Sequence, residues 1–266
     1  MNAHEIEYEI HGEEMQFVQI ELDSGEAVIA EPGSFMFMDD QVKMETIFGD
    51  GSKERSTFFD KLLNAGKRVL TGERLFLTVF TASGNSPSKV AFASPYPGRI
   101  IAMDLSEYGG KLICQKDAFL CAAKGVAIGI EFQKKLGTGF FGGEGFIMQK
   151  LEGDGLSFVH AGGTVVKKTL ERGEKLKIDT GCIVAFTQNV EYDIEFVGGI
   201  KNTIFGGEGL FYATLSGPGE VWIQSLPFSR LAGRVISAAG GFGGKRKDEG
   251  GILGGLGNLI DGDNKF

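Results

Sequence analysis

The sequence is poor in the residues from which most catalytic and metal sites are built. Its 266 residues include 3 cysteines and 3 histidines. His4, His11 and His160 have no second histidine or cysteine at the spacing that zinc ligands show. Nucleophile-elbow, zinc-protease and Cys-x-x-Cys motifs are missing as well. We therefore expect no catalytic residues, no metal and no cofactor, and predict that the chain is not an enzyme.

Long apolar runs and dense basic clusters are also lacking. No window of about 18 apolar residues occurs, so no transmembrane helix is expected. The first residues have neither a basic region nor an apolar region typical of a secretory signal, and a cytoplasmic location is expected. The net charge is −8, and Asp248 and Glu249 directly follow the basic run at 245–247. Nucleic acid is therefore an unfavoured partner, because phosphate backbones are bound by clustered lysine and arginine.

Glycine and phenylalanine are abundant instead, with 42 and 22 residues. Glycine has no three-residue period and there are only 6 prolines, which excludes a collagen-like chain. Short apolar runs are separated by glycine-containing turns, a pattern typical of strands joined by tight turns. This pattern predicts an all-β fold of sandwich or barrel units.

An internal repeat with an offset of 64 residues is the strongest signal in the sequence. Residues 129–155 and 193–219 align without a gap, and 11 of the 27 pairs are identical. Both stretches contain Phe-Gly-Gly-Glu-Gly, at 141–145 and 205–209. Self-similarity at a fixed period indicates tandem structural repeats.

A third copy is predicted near the N-terminus, where residues 22–30 resemble residues 170–178. Copy one spans 48 residues from Gly25 to Glu73, whereas copy two spans 35 residues from Gly109 to Glu144. We place the 13 extra residues within 49–68 and predict a helix there, around 56–64. The predicted domains are β repeat 1 at 1–98, β repeat 2 at 99–163, β repeat 3 at 164–227, and a helical, then glycine-rich flexible tail at 228–266.

Glu73, Glu144 and Glu208 occupy the same place in the three copies, each directly after a glycine. Their recurrence suggests a ligand or cation site at each repeat interface. The alternative is structural, because a carboxylate beside a turn often accepts hydrogen bonds from backbone N–H groups.

The residues after Leu226 differ in kind from the repeats. Phe228, Leu231, Val235 and Ala239 lie on one stripe of a predicted helix. A mixed glycine and leucine segment follows. This tail is interpreted as a helix packed on the body with a flexible end, or alternatively as an arm that binds a membrane surface or a partner.

A combination of short motifs resembles a known family. They are Gly12, Gln16, Gly25-Glu26, Gly33-Ser34-Phe35-Met36, Gly72-Glu73, Pro97-Gly98, Gly143-Glu144-Gly145 and Gly217-Pro218-Gly219 with Val221-Trp222. The chain is similar over roughly 5–227 to the family related to the mitochondrial biogenesis protein altered in inheritance of mitochondria, in the tryptophan RNA-binding attenuator-like superfamily. The resemblance implies three short jelly-roll-like repeats per chain and a homotrimer whose nine repeats form a ring.

Three functions remain open from the sequence. The first is a non-enzymatic scaffold or interaction protein that forms the trimeric ring, since a unit of about 65 residues is marginal alone and unpaired strand edges need partners. The second is a ring that binds a small ligand or cation at its repeat interfaces, and the third is a membrane-associated assembly. RNA binding of the attenuator type is disfavoured, because no basic residues recur at matched positions of the three copies.

Overall fold

The computed structural model describes residues 3–48, 76–134, 146–196 and 211–238. These residues form nineteen strands and one α-helix, joined by three short 3₁₀ turns, which confirms the predicted all-β class. The predicted insertion at 49–68 and the end of the tail lie outside the described residues. None of the described helices has the length and hydropathy needed to cross a membrane.

The strands fall into three successive sets after a first strand, β1 (Glu7–His11). Set 1 contains β2 (Phe17–Leu22), β3 (Ala27–Ala30), β4 (Phe35–Met38), β5 (Val42–Phe48), β6 (Phe76–Ala82) and β7 (Ser88–Ala93). Set 2 contains β8 (Gly98–Asp104), β9 (Lys111–Gln115), β10 (Phe119–Ala123), β11 (Ala127–Lys134), β12 (Phe146–Glu152) and β13 (Leu156–Gly162). Set 3 contains β14 (Val165–Leu170), β15 (Lys175–Asp179), β16 (Ile183–Thr187), β17 (Glu191–Phe196), β18 (Phe211–Ser216) and β19 (Gly219–Gln224).

Strands of each set divide between two antiparallel sheets in the same way. The four sheets have the orders β1-β2-β7-β4, β5-β6-β3-β10-β13-β8, β11-β12-β9-β16-β19-β14 and β15-β18-β17. In every set the sixth strand pairs with the first and the third, and the fifth strand pairs with the fourth and the second. The two groups belong to different sheets.

The two six-stranded sheets are each shared by consecutive sets. The second strand of set 1, β3, pairs with the third strand of set 2, β10. The second strand of set 2, β9, pairs with the third strand of set 3, β16. An edge strand of each set therefore pairs with an edge strand of the next set, and the backbone N–H and C=O groups of these strands form hydrogen bonds within the chain.

Three apolar cores result from this arrangement. One core joins residues of set 1 with Phe158 and Cys121 of set 2. A second contains Trp222 and Leu112, and a third, in sets 2 and 3, contains Phe186. Because strands at the junctions contribute side chains to cores on both faces, they are almost entirely buried.

The turn between the first and second strands of each set depends on glycine. Gly25, Gly109 and Gly173 have φ values of 89°, 71° and 84°. Residues with a Cβ atom rarely adopt this left-handed region, whereas glycine does so readily. This conformational need explains why glycine recurs at the aligned positions.

The helix α1 (Phe228–Ala238) follows the last strand. Its first residues belong to the body formed by Met1–Leu231, where the Phe228 ring lies 5.3 Å from that of Tyr96. Arg230 contacts Asp179 at 3.3 Å. The second contact unit, Ala232–Phe266, is described only through Ala238, and its Val235 side chain is exposed.

Truncation of Phe158 tests the packing of the shared core. Phe158 is fully buried and its ring lies 4.9 Å from that of Tyr8. We expect Phe158→Ala to lower the free energy of unfolding by about 3–5 kcal/mol, because a large cavity replaces the ring. Urea unfolding followed by Trp222 fluorescence measures this loss. Val166→Ala, at a surface position of β14, is the control and should change the free energy by about 0.5 kcal/mol or less.

Candidate functional site

The two outer sheets end in strands that lack a partner on one side. Among the described residues, β1 and β4 are the edge strands of the four-stranded sheet, and β15 and β17 are those of the three-stranded sheet. By position in their sets, β4 corresponds to β10 and β16, whereas β15 corresponds to β3 and β9. Within the described ranges, one strand of each kind that elsewhere forms a junction is therefore left at the edge of its sheet.

The side chains of β4 are more exposed than those of its paired counterparts β10 and β16. All residues of β10 are buried, and so are all but the last of β16. In β4, by contrast, Phe35, Met36 and Phe37 are 41%, 51% and 39% exposed. Large apolar side chains in such a contiguous exposed row are typical of an interaction surface.

The β15 edge is equally incomplete. Its counterparts β3 and β9 are buried at nearly every position, whereas β15 exposes Lys175 and Lys177 and buries only Ile178. An unpaired strand presents backbone N–H and C=O groups that can pair with another strand. The structure therefore offers two complementary edges, which we call the β4 edge and the β15 edge.

Local geometry supports the correspondence of β4 with the junction strands. The pairing register shifts within each of the three strands at the same place: between Phe35 and Phe37, between Phe119 and Cys121, and between Ile183 and Ala185. A bulge of this kind bends the strand and is a built feature of a fold. The β4 edge thus has the backbone shape of the two strands that are paired.

The predicted ligand residues Glu73, Glu144 and Glu208 lie outside the described residues, so the proposed ligand site stays a prediction. They precede β6, β12 and β18, the fifth strands of the three sets. Within the described ranges, no three His, Cys, Asp or Glu side chains come together where they could hold a metal ion. The membrane-surface role of the tail also stays a prediction, since residues 239–266 are outside the description.

A polar corner follows the second strand of each set, at Glu31, Gln115 and Asp179. Asp179 is held by Arg230, and Gln115 is buried. Glu31 is partly buried beside the next corner. Burial raises the pKa of the Glu31 carboxyl to about 7; Lys116 lowers it and Asp117 raises it.

A small cleft lies between these corners and the start of α1. Its volume is about 20 Å³, enough for one water molecule and too little for a metabolite. Gln224 crosses the base of this region, accepting a hydrogen bond from the Gly162 N–H and donating one to the Gly181 carbonyl, both at 2.8 Å. This corner is best described as a satisfied structural network.

His160 is a buried histidine next to the same corner. Its side chain is 1% exposed, and the Tyr96 ring meets it edge-on at 4.4 Å. Neither ring nitrogen has a hydrogen-bond partner of good geometry among the described residues. Burial lowers the pKa of His160 to about 4, although the Tyr96 backbone offsets part of this effect.

Two of the three cysteines, Cys114 and Cys121, are poorly suited to nucleophilic chemistry. Cys114 and Cys121 are fully buried, and burial raises the pKa of the Cys114 thiol to about 12 and that of Cys121 well above its usual range. A thiolate is the reactive form of cysteine. These two side chains act as small apolar residues in the cores.

Sequence reasoning did not identify the β4 edge. Its signal was present, because Phe35-Met36-Phe37-Met38 is a run of four large apolar residues without the two-residue alternation of a half-buried strand. Such a run is typical of a strand covered on both faces. The pairing order of the described strands places β4 at the edge of its sheet.

Comparisons with known proteins agree with the resemblance. A family model described as Mitochondrial biogenesis AIM24 matches residues 8–226. An uncharacterized protein of Streptococcus pyogenes serotype M6 is 33% identical over 227 residues, which cover 83% of this chain and 86% of that protein. The crystal structure of a Streptococcus pyogenes protein has a TM-score of 0.69 and 28% identity, covering 88% of this chain and 99% of that one.

His160 makes stability depend on acid pH. Because its pKa falls from 6.5 to about 4 on folding, the unfolded chain binds the proton more tightly, and stability is lost as the pH falls from about 6.5 towards 4. We expect a loss of about 2 kcal/mol between pH 7.5 and pH 5 from this group. His160→Gln, which introduces the residue found at the matching position Gln224, should remove that part of the pH dependence. Urea unfolding at the two pH values measures it, and an unchanged slope in the variant would contradict the assignment.

Glu31 has the opposite dependence. Its pKa rises from 4.5 to about 7 on folding, so its contribution is most favourable below pH 4.5 and is lost as the pH rises through 7. At pH 8 we expect Glu31→Gln to raise the free energy of unfolding on the order of 2 kcal/mol, with a smaller gain at pH 5. Glu45→Gln removes the same charge from an exposed position of β5 and serves as the control. An equal effect of both variants would show that net charge alone is responsible.

Proposed function

The chain belongs to the Mitochondrial biogenesis AIM24 family, and its resemblance to that family implies a ring of repeats. We propose that it is a non-enzymatic scaffold that assembles with copies of itself. In this assembly the β15 edge of one copy pairs with the β4 edge of the next. The three sets are then copies of one sheet-forming module, triplicated in tandem. The contact between chains repeats the contact that joins the sets within a chain.

The observation that carries this proposal is the difference in burial between equivalent strands. The strands β10 and β16 are covered by β3 and β9, whereas Phe35, Met36 and Phe37 of β4 are not. The strand that would cover them in the same manner, β15, is exposed at the other end of the chain. A second copy supplies it without any change of fold.

The two internal junctions also define the register of the proposed contact. Ala30 lies opposite Cys121, and Cys114 lies opposite Ala185. The corresponding residues of the open edges are Ile178 and Phe37. Phe37 of the next copy therefore lies opposite Ile178, and Met38 of the next copy lies opposite Lys177.

The contact is head-to-tail, so each chain uses two different surfaces. Heterologous contacts of this type form a closed ring when the rotation between neighbours divides a full turn, and an open filament when it does not. The resemblance implies three chains and nine sets, and we adopt a three-chain ring as the proposed stoichiometry. A ring leaves no β4 or β15 edge unpaired, which protects the apolar row from aggregation.

A charge placed on the β4 edge tests the proposal. Three chains of 28.6 kDa each are expected to sediment together at micromolar concentration. Phe37→Lys should weaken their association about tenfold or more, because an ammonium group would be buried in the junction without a partner. Sedimentation velocity over a dilution series measures the change.

The matched control is Val166→Lys, which adds the same charge to an exposed apolar position of β14, away from both edges. Circular dichroism should show that both variants keep their β structure. A wild-type chain that sediments as a monomer at micromolar concentration would contradict the proposal.

A further inference from the structure

We propose that an ion pair between Lys175 of one copy and Asp40 of the next sets the direction of the assembly. This inference rests on the proposed head-to-tail pairing and adds the residues that make it selective. It identifies the partner of the β15 edge as the acidic turn that follows β4 in a second copy of this chain.

The position of the pair follows from the junction register. At the first junction, the Lys124 N–H donates a 3.0 Å hydrogen bond to the Ala27 carbonyl, one step beyond the pairing of Ala123 with Val28. At the second junction the observed pairing ends at Thr187 opposite Leu112, and one further step in this register would place Gln188 opposite Lys111. The first internal junction therefore extends into the turn that follows the third strand.

The same step at the open edges brings opposite charges together. Ile178 lies opposite Phe37 of the next copy. Three residues back along β15 and three residues forward from Phe37, Lys175 lies opposite Asp40 of the next copy. Directly opposite residues of antiparallel strands point to the same face with Cβ atoms about 4.5–5.5 Å apart. At this step the first internal junction has Ala27 with Lys124, and the register of the second would place Lys111 with Gln188, so a complementary charge pair arises here at the contact between chains.

Both side chains are available for this contact. Lys175 and Asp40 are exposed, and neither has an ion-pair partner in the portions of the chain that the structure describes. Nearby charges are already engaged: Asp39 accepts a hydrogen bond from the Lys89 N–H at 2.7 Å, and Lys177 lies 4.8 Å from the centre of the Tyr212 ring.

The charge pattern also disfavours the wrong pairings. Two β15 edges brought together would place the lysines at 175 and 177 of one copy beside those of the other. Two β4 edges would bring together the acidic turns at 39 and 40. Like charges across a sheet are unfavourable, and selectivity arises from such repulsion as much as from attraction. Head-to-tail pairing instead places Lys175 beside the acidic turn of the next copy.

Charge reversal tests the pair. Lys175→Asp and Asp40→Lys should each raise the concentration at which the assembly dissociates about tenfold, because each replaces attraction by repulsion at every junction. The double variant, with the charges exchanged, should return to within about threefold of the wild type. Lys168→Asp, at an exposed position of β14, is the control for net charge and should have no such effect. The differences should shrink in ~0.5 M NaCl, which screens exposed charges.

Mixing the two single variants provides a second test. In a three-chain ring that contains both variants, two of the three junctions hold opposite charges, whereas each variant alone has three repulsive junctions. The mixture should therefore assemble at a lower concentration than either variant alone. A mixture no tighter than its components would overturn the pair, and so would a double variant as weak as the single ones.

The outcomes separate this inference from the proposed function. If the wild type assembles and Phe37→Lys disrupts it, but neither charge reversal has an effect, the edge pairing stands and the ion pair is wrong. If the wild type is monomeric, both proposals fail.

Discussion

The need to satisfy the backbone at the edges of sheets is the constraint on which this structure depends. A set of six strands forms two small sheets, and each of them ends in N–H and C=O groups that require a partner. Here the second strand of one set meets the third strand of the next, so that β3 pairs with β10 and β9 pairs with β16. This pairing satisfies one edge of each joined sheet and places apolar side chains on both faces of the junction strands.

The same pairing cannot operate at the two ends of the chain. The third strand of set 1, β4, and the second strand of set 3, β15, have no such neighbour among the described strands. Their side chains are largely exposed, whereas those of the paired counterparts are buried. The proposed assembly follows from this difference, because a second copy offers the missing strand in the same geometry. The edges differ in chemistry, one being apolar with an acidic turn and the other carrying lysines. Because the two edges differ in charge, each pairs more favourably with the other than with a second copy of itself.

Variation among the matched corners shows how one backbone plan accommodates different chemistry. Glu31, Gln115 and Asp179 hold one position, and Asp179 forms an ion pair with Arg230. Likewise His160 and Gln224 hold one position on the last strand of their sets. Gln224 satisfies both ends of its amide through the backbone, whereas the His160 ring is buried without comparable hydrogen bonds. The resulting shifts in the pKa of Glu31 and His160 act in opposite directions on stability as the pH changes.

From the sequence alone one could read the all-β class, the family, and the 64-residue offset, because these depend on local features: glycine at turns that need positive φ, as at Gly25 and Gly173, and short apolar runs between them. The candidate site was less accessible. Glu73, Glu144 and Glu208 stood out by recurrence, whereas the Phe35–Met38 strand looked like any buried run. Which strand of one set lies against which strand of the next, and therefore which edge stays open, was decided by the tertiary structure. The reason is physical: strand pairing between edges is made by backbone groups common to all residues, so its partners are chosen by the placement of whole sheets and leave little trace in the side chains.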